Sequence, residues 1–196
     1  SRAHHTDRRP EEGSAAMPEY PEFDISHIGI NVIDIEKMVE FYTSVLGYSV
    51  MDSGPLGKGH LTFLSRNARD HHQIVLCTGR PEGSPSTINH VSYRVHGLTA
   101  LRRARQNLID AGVAKLDPTD HGNAWSVYFW DPEGNRLEFF TDTPWYVAQP
   151  YRQVLDFDLS DKEIHARTKA AIEVDESYED FSDWREKVSA ELDSVG

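Results

Sequence analysis

Residues 25–32 read Ile-Ser-His-Ile-Gly-Ile-Asn-Val, and residues 88–95 read Ile-Asn-His-Val-Ser-Tyr-Arg-Val. Each stretch opens a longer unit, in which a helical pattern follows and stops at a glycine, Gly47 in the first copy and Gly112 in the second. Each unit closes on an apolar run, residues 73–77 in the first and residues 135–140 in the second. The same order of elements occurring twice predicts a tandem repeat of one supersecondary unit.

Within each copy the pattern predicts a strand, a helix and three further strands. Asp34 is a good helix N-cap, and apolar residues follow it at helical spacing, namely Ile35, Met38, Val39, Tyr42 and Leu46. Residues 61–64 and 125–130 are short runs of β-branched and aromatic residues, which are typical of strands. The predicted fold class is therefore α+β, with two tandem βαβββ modules forming a cupped mixed sheet.

The flanking segments differ in pattern from the repeat. Residues 1–22 lack periodicity and predict a flexible tail, whereas residues 23–150 form the predicted domain, with modules at about 25–80 and 87–143. Residues 151–196 predict an acidic C-terminal helical extension, in which Ser160 and Glu163 fit a capping box. The extension is expected to pack on the domain or on a partner subunit; the alternative is a lid.

Composition limits the class of partner. The formal net charge is -12, which disfavours nucleic-acid and anionic membrane surfaces, because both attract cationic patches. No apolar run approaches the roughly 20 residues of a membrane helix. The single cysteine, Cys77, cannot form an internal disulfide, and no signal-like segment opens the sequence. We therefore expect a cytoplasmic protein that acts on small molecules.

Three side chains are candidate metal ligands. Alternation along strands predicts that His27, His90 and Glu138 point away from their apolar neighbours, into the concave side. A lone strand histidine is usually structural, but two at matched repeat positions favour a shared role, and a buried carboxylate needs a partner. Two imidazoles and one carboxylate are typical of non-haem Fe(II) oxygenases. Fe(II) is the expected cofactor, Mn(II) fits the same donors, and zinc is less favoured.

The repeat supplies no fourth ligand. Glu138 stands 48 positions after His90, and the same spacing from His27 ends at Val75. The first module therefore has an apolar residue where the second has an acid.

The βαβββ repeat with His27, His90 and Glu138 resembles the vicinal oxygen chelate superfamily, which includes glyoxalases, epimerases, fosfomycin-resistance proteins and type I extradiol ring-cleaving dioxygenases. Glyoxalase-like members commonly carry a fourth ligand where this chain has Val75. The extradiol branch instead has an apolar residue there and a histidine three positions earlier, which is His72 here.

Two further residues are similar to the extradiol branch. Tyr128 stands ten residues before Glu138, and His121 precedes Tyr128 by a shorter segment than in well-known members. The resemblance implies that His72 is the acid and base, that Tyr128 and His121 orient the substrate, and that the substrates are a small aromatic diol and dioxygen. Whether the chain forms a homo-oligomer stays open.

Several alternatives stay open at this point. His71 competes with His72, since adjacent strand residues face opposite ways. Trp145 and Tyr146 are candidate substrate-binding residues, but they would equally serve to anchor the C-terminal extension. Another metal enzyme of the superfamily, such as an isomerase, lyase, epimerase or resistance transferase, is the alternative function. A non-catalytic protein that binds small molecules is the other alternative function.

Overall fold

The computed structural model describes residues 24–193. The tail predicted over residues 1–22 lies outside this range. The first module contains β1 (Ile28–Val32), α1 (Ile35–Ser44), β2 (Ser49–Leu56), β3 (Gly59–Ser65) and β4 (Ile74–Thr78). The second contains β5 (Val91–Arg94), α2 (Leu98–Asp110), β6 (Leu116–Asp120), β7 (Ala124–Trp130) and β8 (Arg136–Asp142). The predicted α+β fold with two βαβββ modules is confirmed.

The modules form two sheets rather than one continuous sheet. The strand order is β1-β4-β3-β2 in the first sheet, and β6-β7-β8-β5 in the second, where β10 (Gln153–Val154) extends the edge beside β6. In both modules the first strand pairs in parallel with the last, and the remaining pairs are antiparallel. Each sheet is therefore mixed, and the repeat is preserved in its pairing.

Local sequence explains the helices. The Asp34 carboxylate accepts a hydrogen bond from the Lys37 amide at 3.0 Å, so Asp34 is the N-cap of α1 as predicted. One face of α1 is buried, with Met38, Phe41 and Tyr42 against the sheet. Helix α2 buries Leu98, Leu101 and Leu108 in the same way. These faces and the inward faces of the strands form one apolar core.

The first strands start later than the sequence analysis predicted. The predicted strands open at Ile25 and Ile88, whereas β1 begins at Ile28 and β5 at Val91. The partner strand explains the difference, because β4 begins at Ile74 and the last backbone bond runs from the Ile28 amide to the Gln73 carbonyl. Ile25 is 96% exposed. His27 and His90 consequently stand one residue before their strands.

The C-terminal segment packs on the second module. It contains α3 (Asp161–Ile172) and α4 (Phe181–Asp193), with the short strands β9 (Trp145–Tyr146) and β11 (Glu179–Asp180) paired to each other. The capping box predicted at Ser160 and Glu163 is present at α3. Ile164 and Ile172 are buried in the common core. None of the helices in residues 24–193 has the length and apolar content to cross a bilayer.

Candidate functional site

A buried carboxylate lies at the centre of the second module. Glu138 in β8 is 6% exposed, and its Oε2 lies 3.4 Å from His90 Nε2. The Ser92 hydroxyl donates a hydrogen bond to the same oxygen. The parallel register of β5 and β8 places Ser92 directly beside Glu138. His90 stands just before β5, and its contact with Glu138 places its ring on the same face.

Tyr128 lies on the same face of the sheet as Glu138. It lies directly opposite Glu138 in the antiparallel pair of β7 and β8, and its ring centroid is 5.6 Å from that of His90. Burial raises the pKa of the Tyr128 phenol, and the negative charge of Glu138 raises it further. The ten-residue spacing seen in the sequence is thus the register of one hairpin, so it indicates that the two side chains are neighbours.

His121 is held between Tyr128 and the C-terminal segment. Its Nδ1 lies 2.9 Å from the main-chain carbonyl oxygen of Tyr151. A carbonyl oxygen only accepts, so Nδ1 carries the proton and donates. Nε2 of the neutral ring is then an acceptor, and the Tyr128 hydroxyl donates to it at 3.0 Å. The C-terminal segment therefore fixes the tautomer of His121 and the direction of the Tyr128 hydrogen bond.

The first module carries a second group of histidines. The rings of His27 and His72 have their centroids 4.3 Å apart, and the His72 ring lies 5.1 Å from Phe63. Burial lowers the pKa of His72, and the charges of His27 and His71 lower it further. His71 is exposed and directs Nε2 to Asp52 Oδ2 at 2.7 Å.

The segment that carries His71 and His72 is not a strand. Strand alternation was predicted there, but residues 66–71 form a bend, and His72 follows it outside any strand. The reason is local. The Asn67 side-chain oxygen accepts hydrogen bonds from the main-chain amides of the next turn, and the Ser65 hydroxyl donates to the Asp70 carbonyl. The structure places His72, and not His71, against His27.

The pairing registers show how the two modules differ. Val75 stands beside Gly29 as Glu138 stands beside Ser92, which agrees with the count made from the sequence. Phe63 faces Val75 as Tyr128 faces Glu138. The acid and the phenol therefore belong to the second module alone, and their counterparts in the first module are apolar.

Two of the candidate donors are spaced like adjacent ligands of one metal ion. His90 Nε2 and Glu138 Oε2 are 3.4 Å apart, close to the roughly 3.0 Å between adjacent ligands that each bind a metal at about 2.1 Å. No lysine or arginine within residues 24–193 forms an ion pair with Glu138. These two donors therefore fit a divalent cation, which would balance the buried charge.

The third candidate ligand is placed differently. No contact within the described chain joins His27 to His90 or Glu138, and residues 24–193 contain no group of three or more His, Cys, Asp or Glu side chains arranged around one point. The contacts of His27 are with His72 and with the Ser26 hydroxyl at 3.3 Å. Its role as the third ligand stays a prediction.

Trp145 and Tyr146 contact the C-terminal segment. Trp145 is buried against Trp125 and His165, and Tyr146 stacks on Trp184 with ring centroids 4.9 Å apart. These contacts agree with the alternative in which both residues anchor the C-terminal extension. A role for either residue in substrate binding stays a prediction.

Sequence reasoning missed three groups at the site. Ser92 and Arg136 each stand two residues from a predicted ligand, so the alternation that selected His90 and Glu138 could also have selected them. The Arg136 guanidinium carbon lies 3.7 Å from the centre of the Tyr128 ring. The Tyr151 carbonyl is a main-chain group that no residue pattern indicates.

Comparison with known proteins agrees with this architecture. A biphenyl-2,3-diol 1,2-dioxygenase of Rhodococcus globerulus is 28% identical over 60% of this chain, which spans 63% of that enzyme's length. A trivalent organoarsenical cleaving enzyme of a Bacillus species is 27% identical over 59% of this chain and 71% of its own length.

A solved structure shares the fold. The glyoxylase/bleomycin resistance protein/dioxygenase domain from Frankia sp. EAN1pec superposes with a TM-score of 0.56 at 22% identity, over 63% of this chain and 94% of that one. The model of the Glyoxalase/Bleomycin resistance protein/Dioxygenase superfamily matches residues 24–139, which include both modules up to Glu138. With the repeat and its strand pairing, this match over more than half of the chain means that the chain belongs to that superfamily.

Proposed function

We propose that this protein is an extradiol dioxygenase, which cleaves the aromatic ring of a catechol-type diol with dioxygen. The observation that carries the proposal is the hydrogen bond between Tyr128 and His121 beside the pair of His90 and Glu138. A ligand pair for a divalent cation stands next to a phenol and an imidazole that can receive a proton. The relationship to a biphenyl-diol dioxygenase supports this reading.

The proposed cofactor is Fe(II), held by His27, His90 and Glu138, and Mn(II) fits the same donors. When bound, such an ion would supply binding of the diol and of dioxygen and electron transfer between them. The first module contributes no carboxylate, because Val75 takes the corresponding position.

Tyr128 and His121 would handle the proton of the diol. The Tyr128 hydroxyl donates to His121, so the lone pairs of its oxygen face outward and can accept a hydrogen bond from a diol hydroxyl. As the diol loses its proton towards Tyr128, the phenol proton moves to His121 Nε2. The Tyr151 carbonyl at Nδ1 then stabilises the imidazolium.

Oxygen uptake tests the proposal. The protein is loaded with Fe(II) under anaerobic conditions and then given catechols with dioxygen, and we expect dioxygen consumption with formation of a yellow ring-opened product. A protein that binds Fe(II) but gives neither signal would overturn ring cleavage. Trivalent organoarsenicals belong in the same panel because of the related cleaving enzyme. Failure to bind iron or manganese in titration would instead favour a non-catalytic binder.

His72→Phe is expected to retain iron and diol binding while lowering kcat by about a hundredfold, the typical contribution of a general acid or base. Phenylalanine keeps the ring that contacts His27 and Phe63 but cannot carry a proton. Metal content, diol affinity and single-turnover rates measure the three quantities separately. The matched control is His71→Phe, which removes the exposed partner of Asp52 and should change kcat little. Equal effects from both variants would show that His72 has no special role.

A further inference from the structure

A buried threonine connects helix α3 to the candidate site. Thr168 is 1% exposed, and its hydroxyl lies between two side chains of the second module. Trp125 Nε1 is 2.9 Å from Thr168 Oγ1, and Asp120 Oδ2 is 2.5 Å from the same oxygen. An indole nitrogen only donates and a carboxylate only accepts. Thr168 therefore accepts from Trp125 and directs its own proton to Asp120.

Asp120 is a buried carboxylate at the end of β6. Its Oδ1 accepts a hydrogen bond from the Gly122 amide at 2.8 Å, and its Oδ2 accepts the one from Thr168. Burial raises the pKa of Asp120, whereas these two hydrogen bonds favour its charged form. Removal of a donor from a buried carboxylate leaves the charge without compensation. Asp120 therefore depends on the Thr168 hydroxyl.

The hydrogen bonds of Asp120 shape the turn that carries His121. Asp120 and Gly122 stand on either side of His121 between β6 and β7, and the bond between them closes the turn. The His121 amide donates to the Ala124 carbonyl at 2.8 Å. With its backbone held in this way, the His121 ring reaches the Tyr128 hydroxyl at 3.0 Å. The orientation of His121 is thus linked through Asp120 to α3.

The C-terminal segment contacts the same turn at further points. Helix α3 lies outside residues 24–139, the part of the chain that matches the superfamily. A Cβ atom placed on Gly122 would nevertheless lie 3.0 Å from Ile172 Cγ2, so helix and turn are closely packed. Gln149 Nε2 also donates to the His121 carbonyl at 2.8 Å. The turn is therefore supported from outside the matched part of the chain.

We infer that Thr168 is a positioning residue for His121, acting through the carboxylate of Asp120. The inference rests on the proposed function, in which His121 receives the phenol proton of Tyr128. Thr168 holds Asp120, and Asp120 holds the turn. The turn then presents the His121 ring to the Tyr151 carbonyl on one side and to the Tyr128 hydroxyl on the other.

The tautomer of His121 in the metal-free protein tests the inference without any catalytic step. Long-range proton–nitrogen correlation spectra at about pH 8, where unperturbed imidazoles are neutral, distinguish a protonated Nδ1 from a protonated Nε2. A His121→Asn variant assigns the signal. Wild-type protein should show one His121 tautomer with the proton on Nδ1. Thr168→Val has nearly the same shape but cannot donate to Asp120, so it should show a mixture. Any other tautomer in the wild type, or an unchanged signal in Thr168→Val, would overturn the inference.

Catalysis by the iron-loaded protein gives a second readout. Thr168→Val should lower kcat for a catechol by about tenfold, since a misplacement of about 1 Å can cost roughly a hundredfold. KM and iron affinity should not change, because within residues 24–193 neither Thr168 nor Asp120 forms a hydrogen bond or ion pair with His90 or Glu138. Loss of iron from Thr168→Val, or an unchanged kcat, would contradict the positioning role.

Two further variants on α3 separate positioning from stability. Thr168→Ser loses a methyl group but keeps the hydroxyl, so it should restore the single tautomer and the wild-type kcat. Ile164→Val removes a methyl group from a buried residue of the same helix without touching the link to Asp120. It should lower stability but keep the tautomer and kcat of the wild type. A loss of kcat in all three variants, in proportion to their loss of stability, would mean that α3 only supports the fold.

Asp120→Ala replaces Thr168→Val if the valine variant does not fold. It breaks the same link but removes the carboxylate together with its desolvation cost, so no buried charge is left unpaired. Asp120→Ala should also show mixed His121 tautomers. A wild-type His121 signal from this variant would overturn the inference.

The two proposals fail in different ways. Ring cleavage combined with a His121 tautomer and a kcat that do not depend on Thr168 would leave the proposed function standing and remove the positioning role. A tautomer that depends on Thr168, combined with no dioxygen uptake after iron loading, would leave the control of the His121 ring standing and remove the dioxygenase.

Discussion

Glu138→Ala is expected to abolish iron retention and, with it, dioxygen uptake. Glu138 is the buried carboxylate next to His90 and, in the proposed site, the one anionic ligand. Loss of a partner that only supports a ligand typically costs 10- to about 100-fold in metal affinity, so loss of the ligand itself should exceed about a hundredfold. Metal content after gel filtration and anaerobic Fe(II) titration measure the effect, and an oxygen electrode measures activity.

Stability of the metal-free variant separates a metal role from a structural one. A carboxylate buried without a strong cation costs desolvation free energy, so the metal-free Glu138→Ala protein should be about as stable in urea as the metal-free wild type. His90→Ala should lose iron in the same way. Iron retention by His27→Ala tests whether His27 is the third ligand. Glu36→Ala, on the exposed face of α1, is the control. Normal iron binding by Glu138→Ala would refute the site.

Gly122→Ala is expected to lower the free energy of unfolding by about 3 kcal/mol. A Cβ atom at this position would lie 2.5 Å from Val147 Cγ1 and 3.0 Å from Ile172 Cγ2, and the backbone has φ of +73°. The left-handed conformation costs a non-glycine residue roughly 1–2 kcal/mol, and overpacking adds roughly 1–3 kcal/mol. Urea unfolding followed by circular dichroism measures the change.

The same substitution should also slow catalysis without releasing iron. Gly122 follows His121 directly and lies against the segment whose Tyr151 carbonyl holds the His121 ring.

The matched control for the stability measurement is Gly112→Ala, because Gly112 has φ of +74° but no atom within 4 Å of an added Cβ. That control isolates the backbone strain and should cost about 1 kcal/mol. Equal losses at both glycines would contradict the close approach of the C-terminal segment.

The sequence was most informative where side chains repeat at short, regular intervals. The matched histidines and the glycine-terminated helices predicted both modules, because local periodicity reflects burial of one face. The ten-residue spacing of Tyr128 and Glu138 was noted as a resemblance, and the structure gives its physical basis, because one hairpin places the two residues opposite each other.

Features that depend on distant contacts could not be predicted in this way. The start of β1 depends on where its partner β4 begins, and the bend before His72 depends on side-chain hydrogen bonds to the loop backbone. Strand alternation alone failed at both places. The Tyr151 carbonyl reaches His121 across 30 positions of the chain, a distance at which residue patterns carry little information. The separation of the modules into two sheets was likewise not visible in local periodicity.

The unequal modules have a consequence for how reactants would approach. Val75 and Phe63 present hydrocarbon where their repeat counterparts present an acid and a phenol. In the proposed enzyme these two positions offer no competing anion and little attraction for water, so incoming molecules would meet an apolar surface there. The acid and the phenol would thus act from the second module, while the first module would bring His27 and His72 next to an apolar surface.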